Sequence, residues 1–430
     1  MIVKKIIPSI LLFVCLALNA MASGKADQSY YQNSVYSEEI KSVKIYREGN
    51  ELSNPEYAIG SDAKLVLKFD DLSEEAKNYS YTIIHCDADW NESYMQQSEY
   101  LDGITDIQIT DYAMSYNTMV KFVNYQIQIP NEECTPKLSG NYALLVFENN
   151  DRSNLVLIQR FFVVEPLVRI EGLVKKATFD SFSGANQEVD FKIFHEKLQL
   201  LNPREDIKVV LMQNRRWDNA IRDLKPSNVQ ENVLEYDYSK ENVFPGGNEF
   251  RFFDLRTSRH NGENVSELKF IRPYFHATLM PDEIRSNKTY IPYQEMNGNY
   301  VIESQDRVSD FDTECDYEFV HFFLKMQSQF LGGSVNVFGE LTGWNANKTN
   351  EMKWSFEHGG YELTLLLKQG YYNYQYVYVA NGAKKADAEN IEGSFFITEN
   401  EYQIFVYYHD KSGHYDRLVG FVTMNSSVKK

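Results

Sequence analysis

Cysteine, proline and glycine are all scarce in this sequence. Its 430 residues include only 4 Cys, 11 Pro and 22 Gly. Beyond the N-terminal apolar run the cysteines are Cys86, Cys134 and Cys315, and an odd number of widely spaced cysteines excludes a complete disulfide framework. Two alternatives remain, a single Cys86–Cys134 bridge or buried free thiols, and we expect the free thiols.

Long apolar runs are lacking everywhere except at the N-terminus. Lys4 and Lys5 precede the run "IIPSILLFVCLALNA", and the small-x-small triplet Ala20-Met21-Ala22 follows. This order is typical of a cleaved secretory signal, which we assign to residues 1–22. No later stretch approaches the ~20 apolar residues that a membrane-spanning helix needs. We therefore expect a soluble, exported protein.

Positive charge is also in short supply. The chain has 43 Lys and Arg against 61 Asp and Glu, which gives a formal net charge of -18. An acidic surface keeps a protein soluble and disfavours binding to nucleic acids and anionic membranes. We therefore expect no nucleic-acid partner and no direct membrane insertion.

Signatures of catalysis are missing as well. The sequence has no G-x-S-x-G, H-E-x-x-H, phosphate-loop, dinucleotide-binding or C-x-x-C motif. His85 and Cys86 are neighbours on a predicted strand, so their side chains point to opposite faces and cannot chelate one ion. We predict a protein that is not an enzyme, with no cofactor, no metal and no small-molecule substrate.

The stretch "YTIIHCDADWN" at 81–91 contains the one partial metal motif. Four residues have the oxygen spacing that opens a calcium loop: Asp87, Asp89, Asn91 and Ser93. However, Glu92 occupies the position that requires glycine, and no acidic residue closes the loop. We expect instead that Asp87 and Asp89 cap backbone N–H groups where the chain leaves a strand, and that Trp90 packs across the sandwich edge.

Aromatic residues and alternating apolar positions dominate what is present. The 30 Tyr and 27 Phe suit strands better than helices. Period-two segments recur from "KSVKIY" at 41–46 to "YQIFVYYHD" at 402–410. Because the chain is too long for one core, we predict an all-β protein of tandem immunoglobulin-like β-sandwich modules, three in series, at 23–165, 166–309 and 310–430.

Residues 87–122 form a long polar insertion, rich in Tyr and Asp, within the first predicted module. Loops this long in compact domains are usually functional or partner-facing. Exposed aromatics anchor many reversible interfaces, and the candidate anchors here are Trp90, Tyr94, Tyr100, Tyr112 and Tyr116. The alternative is that these aromatics pack the insertion onto its own sandwich.

The segment 310–430 resembles a known class of domains. "VNVFGELTGWN" and "GYELTLLLKQGYYNYQYVYVANG" are similar to early-set immunoglobulin-like domains related to glycogen-binding modules. The resemblance implies that Trp344 could stack on a sugar ring, which makes a periplasmic or surface carbohydrate-binding protein the alternative function. Starch binders generally have another exposed aromatic where this chain has Ala380-Asn381-Gly382-Ala383, and Trp344 could instead be a packing residue.

Taken together, several blocks resemble the plug protein family of the type IX secretion system of Bacteroidota. In chain order they are "YTIIHCDADWN", "EYLDGITDIQITDYAMSYNT", "PKLSGNYALLVFEN", "RFFVVEPLV", "RWDNAIRDLKP", "ENVFPGGNEFRFFDLR" and "LLLKQGYYNYQYVYV". The resemblance implies a periplasmic protein that binds the large outer-membrane translocon barrel. It further implies that the protein closes the pore when no substrate is passing.

Overall fold

The computed structural model describes residues 31–179, 184–237, 240–306 and 308–426, so the predicted signal at 1–22 lies outside the described residues. Strands dominate this part of the chain, which confirms the predicted all-β, multi-domain sandwich fold. The α-helices are each four residues long and join strands at their ends.

Residues 31–165 form the first sandwich. One sheet has the strand order β1-β12-β11-β5-β7 with β3 beside β12, the opposing sheet has the order β2-β4-β9-β8, and β6 pairs with β10. Its elements are β1 (Ser34–Val35), β2 (Ile40–Arg47), β3 (Glu56–Ala58), β4 (Leu65–Asp71), β5 (Tyr79–Cys86), α1 (Gln97–Tyr100), β6 (Leu101–Gly103), β7 (Ile107–Gln108), β8 (Tyr112–Met114), β9 (Val123–Ile129), β10 (Cys134–Pro136), β11 (Gly140–Glu148) and β12 (Leu155–Val164).

Aromatic side chains from both sheets fill the core of the first sandwich. Phe69, Tyr79 and Tyr125 pack ring against ring with centroid separations of 5.0 to 5.7 Å. Such ring pairs each add ~0.5–1.5 kcal/mol beyond the burial of their area. Strands β5, β11 and β12 are buried at successive positions, which means that both faces of their sheet are covered.

The remaining elements follow in chain order. They are β13 (Arg169–Lys176), β14 (Asn186–Phe194), α2 (Pro203–Asp206), β15 (Ile207–Gln213), β16 (Ile221–Arg222), β17 (Asn228–Val229), β18 (Val233–Tyr236), β19 (Val243–Pro245), β20 (Arg251–Asp254), β21 (Val265–Ile271), β22 (Tyr274–Leu279), β23 (Asp282–Glu283), β24 (Tyr300–Ile302), α3 (Phe311–Glu314), β25 (Tyr317–Lys325), β26 (Gly333–Phe338), a 3-10 helix (Glu340–Thr342), β27 (Lys353–Ser355), β28 (Gly360–Lys368), β29 (Gly370–Ala380), α4 (Glu389–Glu392), β30 (Glu401–Asp410) and β31 (Tyr415–Asn425).

The second sandwich combines two distant parts of the chain. One of its sheets has the order β13-β14-β18-β17 with β19 beside β14, and the other has the order β16-β15-β30-β31. Strand β15 pairs with β30 over its whole length, from Ile207 opposite Tyr408 to Gln213 opposite Tyr402. The predicted division at 309/310 is therefore wrong, because the last two strands complete a sheet that begins at 207.

The third sandwich is inserted between β19 and β30 of the second. It consists of β20-β29-β24 with β26 beside β29, packed against β21-β22-β25-β28-β27 with β23 beside β25. Phe253 and Tyr372 stack at its centre with centroids 5.2 Å apart, and Phe322 meets Phe253 edge-on. The sequence predicts three units in series along the chain. In the structure the third unit interrupts the second, so the units interlock.

The first and second sandwiches share a buried interface. The outer face of the β12-β11-β5 sheet packs on the outer face of the β15-β30-β31 sheet. Phe162 and Phe405 meet there with ring centroids 4.7 Å apart. This contact explains why β11 and β12 are apolar at consecutive positions, since each strand faces one core on each side.

The first and third sandwiches are also joined by buried side chains. The Tyr317 hydroxyl donates a hydrogen bond to Asp70, 2.6 Å away, and Phe122 lies edge-on to the Tyr317 ring. The Lys44 ammonium lies 3.1 Å from Glu340 and is almost entirely buried. All three sandwiches are consequently held to each other by groups that water does not reach.

Candidate partner-binding surface

The turn after β5 is organised by Asp87. Its Oδ1 atom accepts hydrogen bonds from the backbone N–H groups of Asp89 and Asn91, both at 2.9 Å. The predicted capping role is therefore confirmed for Asp87. Asp89 does not cap the turn, because its carboxylate lies 3.2 Å from the guanidinium of Arg222 in the second sandwich.

Trp90 lies at the interface between the first and second sandwiches and is fully buried. Its backbone has φ of +68°, a left-handed conformation that turns the indole inward from the tight loop. The indole meets the rings of Phe162 and Trp217 edge-on, and the guanidinium carbon of Arg160 lies 4.2 Å from its centroid. Packing at the sandwich edge is confirmed, and Trp90 is not available as an exposed anchor.

His85 is the one buried histidine beside this turn, and its ring is held on both sides. Nε2 lies 3.2 Å from the Ser139 carbonyl and Nδ1 lies 2.8 Å from the Ser93 hydroxyl. Because a carbonyl only accepts, Nε2 carries the proton and Nδ1 accepts from the hydroxyl. Burial lowers the pKa of His85 to about 4, so the ring is neutral at ordinary pH.

The three cysteines of the described residues, Cys86, Cys134 and Cys315, are free thiols, as expected. Cys86 lies between the first two sandwiches, whereas Cys134 lies in the core of the first, so the alternative of a Cys86–Cys134 bridge is wrong. Burial raises the pKa of Cys134 and of Cys315 to about 12. Such thiols react slowly, because the thiolate is the reactive form.

Tyr100 is also buried, in the core of the first sandwich. It ends α1, whose N-cap residue Gln96 and N3 residue Glu99 form a reciprocal capping box. The ring lies against His85 and Tyr142. Tyr100 therefore follows the alternative that the insertion packs on its own sandwich.

The other three candidate anchors are exposed. Tyr94 is fully exposed in the turn before α1, while Tyr112 is 49% and Tyr116 is 65% exposed. The structure places two methionines with the latter pair, Met114 and Met119, which are 49% and 57% exposed. We call the four residues Tyr112, Met114, Tyr116 and Met119 the β8 surface.

The sequence analysis predicts aromatic anchors only and does not include Met114 and Met119. The signal was present, since the alternation in "YAM" at 112–114 puts residues 112 and 114 on the same face of a strand. Methionine also suits a binding surface, because its thioether is flexible and polarisable. The role of Tyr94, Tyr112 and Tyr116 as partner contacts stays a prediction.

The loop that carries the β8 surface is fixed to the third sandwich. The backbone N–H of Tyr116 donates to the Thr313 carbonyl at 3.0 Å. Asp316 accepts the N–H groups of Met119 and Val120 at 2.6 and 3.0 Å. Residues 116–120 are therefore held in one conformation, which reduces the entropy lost when a partner binds.

Trp344 packs against two other aromatic rings. Its backbone also has φ in the left-handed region, at +57°, and its ring packs on Phe250 and Phe338 at interplanar angles of 85° and 70°. Stacking on a sugar requires coplanar exposed rings, whereas these described rings are nearly perpendicular. The geometry supports the packing alternative for Trp344.

One group of carboxylates in the described residues has metal-like spacing, formed by Glu188, Asp190 and Asp237. The Lys175 ammonium lies among them, 3.4 Å from Glu188 and 3.8 Å from Asp237, and also contacts Asp190. The chain thus supplies its own cation at this position.

Comparison with known proteins identifies the family. The description "Type 9 secretion system plug protein 1st domain" matches residues 40–165, which lie within the first sandwich. The solved structure of a hypothetical protein from Parabacteroides merdae ATCC 43184 has 35% sequence identity and a TM-score of 0.90, with 93% of this chain and 100% of that chain covered. No curated protein matches the sequence. None of the described helices has the length and apolar character needed to cross a bilayer. The chain belongs to the plug protein family of the type IX secretion system.

Proposed function

We propose that this protein binds the outer-membrane translocon of the type IX secretion system from the periplasmic side and occludes its pore when no substrate is passing. Residues 1–22 would direct export, and the translocon would retain the mature protein at the outer membrane. The protein acts as a steric obstacle, without catalysis, cofactor or small-molecule substrate. Family membership supports a role in type IX secretion.

The observation that carries the proposal is the rigid connection of the three sandwiches. Buried aromatic contacts such as Phe162 with Phe405 join the first two units. The hydrogen bond from Tyr317 to Asp70 joins the third to the first. A protein that closes a pore must be rigid, because domains that move about a hinge would leave gaps between the protein and the wall of the pore.

Binding must also be reversible. A plug has to leave the pore, so its contacts with the barrel need only moderate affinity. A small exposed patch of aromatic and methionine side chains suits a reversible contact better than a large apolar interface.

Affinity isolation tests the proposal. Full-length tagged protein is expressed in the source cells, and outer-membrane extracts are passed over the affinity resin. We expect a very large barrel protein, identified by mass spectrometry, to co-purify. Cells lacking the gene should admit a large antibiotic that the intact outer membrane excludes, and the wild-type gene should restore exclusion. If no barrel co-purifies and the envelope stays tight, the proposal fails.

Deletion of the insertion 87–122 is not a usable variant for this test. The insertion contributes Trp90, Tyr100 and Phe122 to buried clusters, so its removal would unfold the first sandwich. Point variants on the exposed side chains are the appropriate alternative.

A further inference from the structure

Strand β8 is an open sheet edge. It ends the order β2-β4-β9-β8 and pairs with β9 in register, with Tyr112 opposite Tyr125 and Met114 opposite Val123. All three of its residues are exposed. Among the described residues no further strand lies beside β8.

The outward backbone groups of β8 can be assigned from the hydrogen bonds on either side. The Asp111 carbonyl accepts from Gln126, and the Ser115 N–H donates to Phe122. Because inward and outward groups alternate along an antiparallel strand, residues 111, 113 and 115 bond to β9, and the N–H and C=O groups of 112 and 114 point away from it. In the described chain no group hydrogen-bonds to these four atoms.

Two other edge strands of the same fold, β2 and β21, are protected. At β2, the opposite edge of the same sheet, the ladder shifts register between Lys41 and Lys44, and Lys44 donates to the carbonyl of Tyr300 in the third sandwich. At the edge strand β21, the side chain of Asn261 donates to the Ser266 carbonyl at 2.9 Å and accepts from the Leu268 N–H at 3.0 Å.

Bulges, lysines and covering side chains are the devices that normally prevent an edge from pairing with another chain. Strand β8 is short, at three residues, and has none of these three devices. Its sequence Tyr-Ala-Met is uncharged, contains no proline and pairs with β9 without a register shift. The edge is therefore suited to pairing.

We propose that β8 binds an extended segment of the translocon barrel by strand addition, an inference that rests on the function proposed above. Donors and acceptors that alternate at residues 112 and 114, about 6.6–6.8 Å apart, are matched by another extended backbone and by no other regular structure. The flanking side chains of the β8 surface are apolar or aromatic, so the bound segment presents apolar side chains beside them. The loop fixed by Asp316 prepares this surface in advance.

The test compares Met114→Pro with Met114→Ala. Both variants remove the methionine side chain, but only proline also removes the outward N–H group, and proline is tolerated at an edge strand where that group faces solvent. Each tagged full-length variant is used to isolate the barrel from outer-membrane extracts, and the captured barrel is quantified. We expect Met114→Ala to capture within about threefold of wild type and Met114→Pro to capture about tenfold less.

Thermal unfolding shows whether both variants are folded. If Met114→Pro unfolds at a lower temperature than Met114→Ala, the pair Tyr112→Pro and Tyr112→Ala takes its place. Equal capture by the proline and alanine variants would overturn strand addition while leaving the plug function intact. A wild-type protein that captures no barrel would overturn the plug function itself. Sedimentation that shows a wild-type dimer, lost in the proline variant, would assign the edge to a second copy of this chain and overturn the translocon as its occupant.

Discussion

Lys368 and Asp70 form a buried ion pair although they are 298 residues apart in sequence. The ammonium of Lys368, on β28 of the third sandwich, lies 2.7 Å from Oδ2 of Asp70, on β4 of the first. The same oxygen accepts the Tyr317 hydroxyl, and Oδ1 accepts from Asn124 at 2.7 Å. The carboxylate is fully satisfied, so the junction between the two sandwiches has one defined geometry.

The change Lys368→Met should weaken this junction strongly. It removes the cation and leaves the Asp70 carboxylate buried without its counter-charge, which costs about 3–5 kcal/mol of unfolding free energy. Urea denaturation followed by fluorescence measures the change. The matched control is Lys353→Met, whose ammonium is largely exposed and pairs with Glu351 on the surface. Equal midpoints for the two variants would contradict the assigned role.

Truncation should destabilise the protein at Trp90 but not at Tyr94. Trp90→Ala removes a fully buried indole and should lower the unfolding free energy by about 3–5 kcal/mol. Tyr94→Ala removes a ring that contacts little of the protein and should leave the thermal midpoint unchanged. Both are measured by thermal unfolding at neutral pH. An unfolding midpoint for Trp90→Ala equal to that of wild type would show that the indole is not part of the interface.

His85 should make the protein less stable as the pH falls. Burial lowers its pKa from 6.5 to about 4. Between these values the unfolded chain takes up a proton that the folded protein excludes, so stability decreases by up to about 1.4 kcal/mol per pH unit. Thermal unfolding of wild type and His85→Gln at pH 7 and pH 5 isolates the effect, with the exposed His260→Gln as control. If wild type loses no more thermal stability between pH 7 and pH 5 than His85→Gln does, His85 is not the cause of the loss.

Glu318 should make the protein less stable as the pH rises. Both of its carboxylate oxygens are buried without a hydrogen-bond partner among the described residues, and burial, with Asp316 and Asp306 nearby, raises its pKa to about 8. The folded protein keeps this group protonated while the unfolded chain ionises it above pH 4.5, so stability is lost as the pH rises through this window.

Glu318→Gln replaces the acid with a neutral side chain of the same shape. At pH 7.5 it should raise the unfolding free energy by about 2–4 kcal/mol, and at pH 4.5 it should have little effect. Urea denaturation at the two pH values provides the measurement, and the exposed Glu231→Gln serves as control. A gain that is the same at both pH values would mean that ionisation is not the cause.

Local structure could be predicted from local sequence with good accuracy. The alternation in "QEVDFKIF" and "YQIFVYYHD" correctly indicated β14 and β30, because the side chains on one face of each strand meet a core. Asp87 was correctly assigned to the turn, since a short carboxylate reaches the N–H groups of the next residues. These predictions depend only on interactions within a few residues.

The pairing of β30 with β15 could not be predicted in the same way. Nothing in the alternation of β30 specifies which sheet it joins, because any sheet with a free edge and a matching apolar face is acceptable. The burial of Trp90 has the same origin, since its partner Trp217 belongs to another sandwich. Whether an aromatic is an anchor or a core residue thus depends on distant parts of the chain.

The late position of β30 and β31 has a consequence for assembly. The second sandwich cannot close its core until β30 and β31 have been synthesised, because β15 lacks its neighbour until then. A polypeptide truncated near residue 400 would leave the aromatic faces of two units open to water and to proteases. A chain that lacks residues 401–425 therefore completes neither the second sandwich nor its interface with the first.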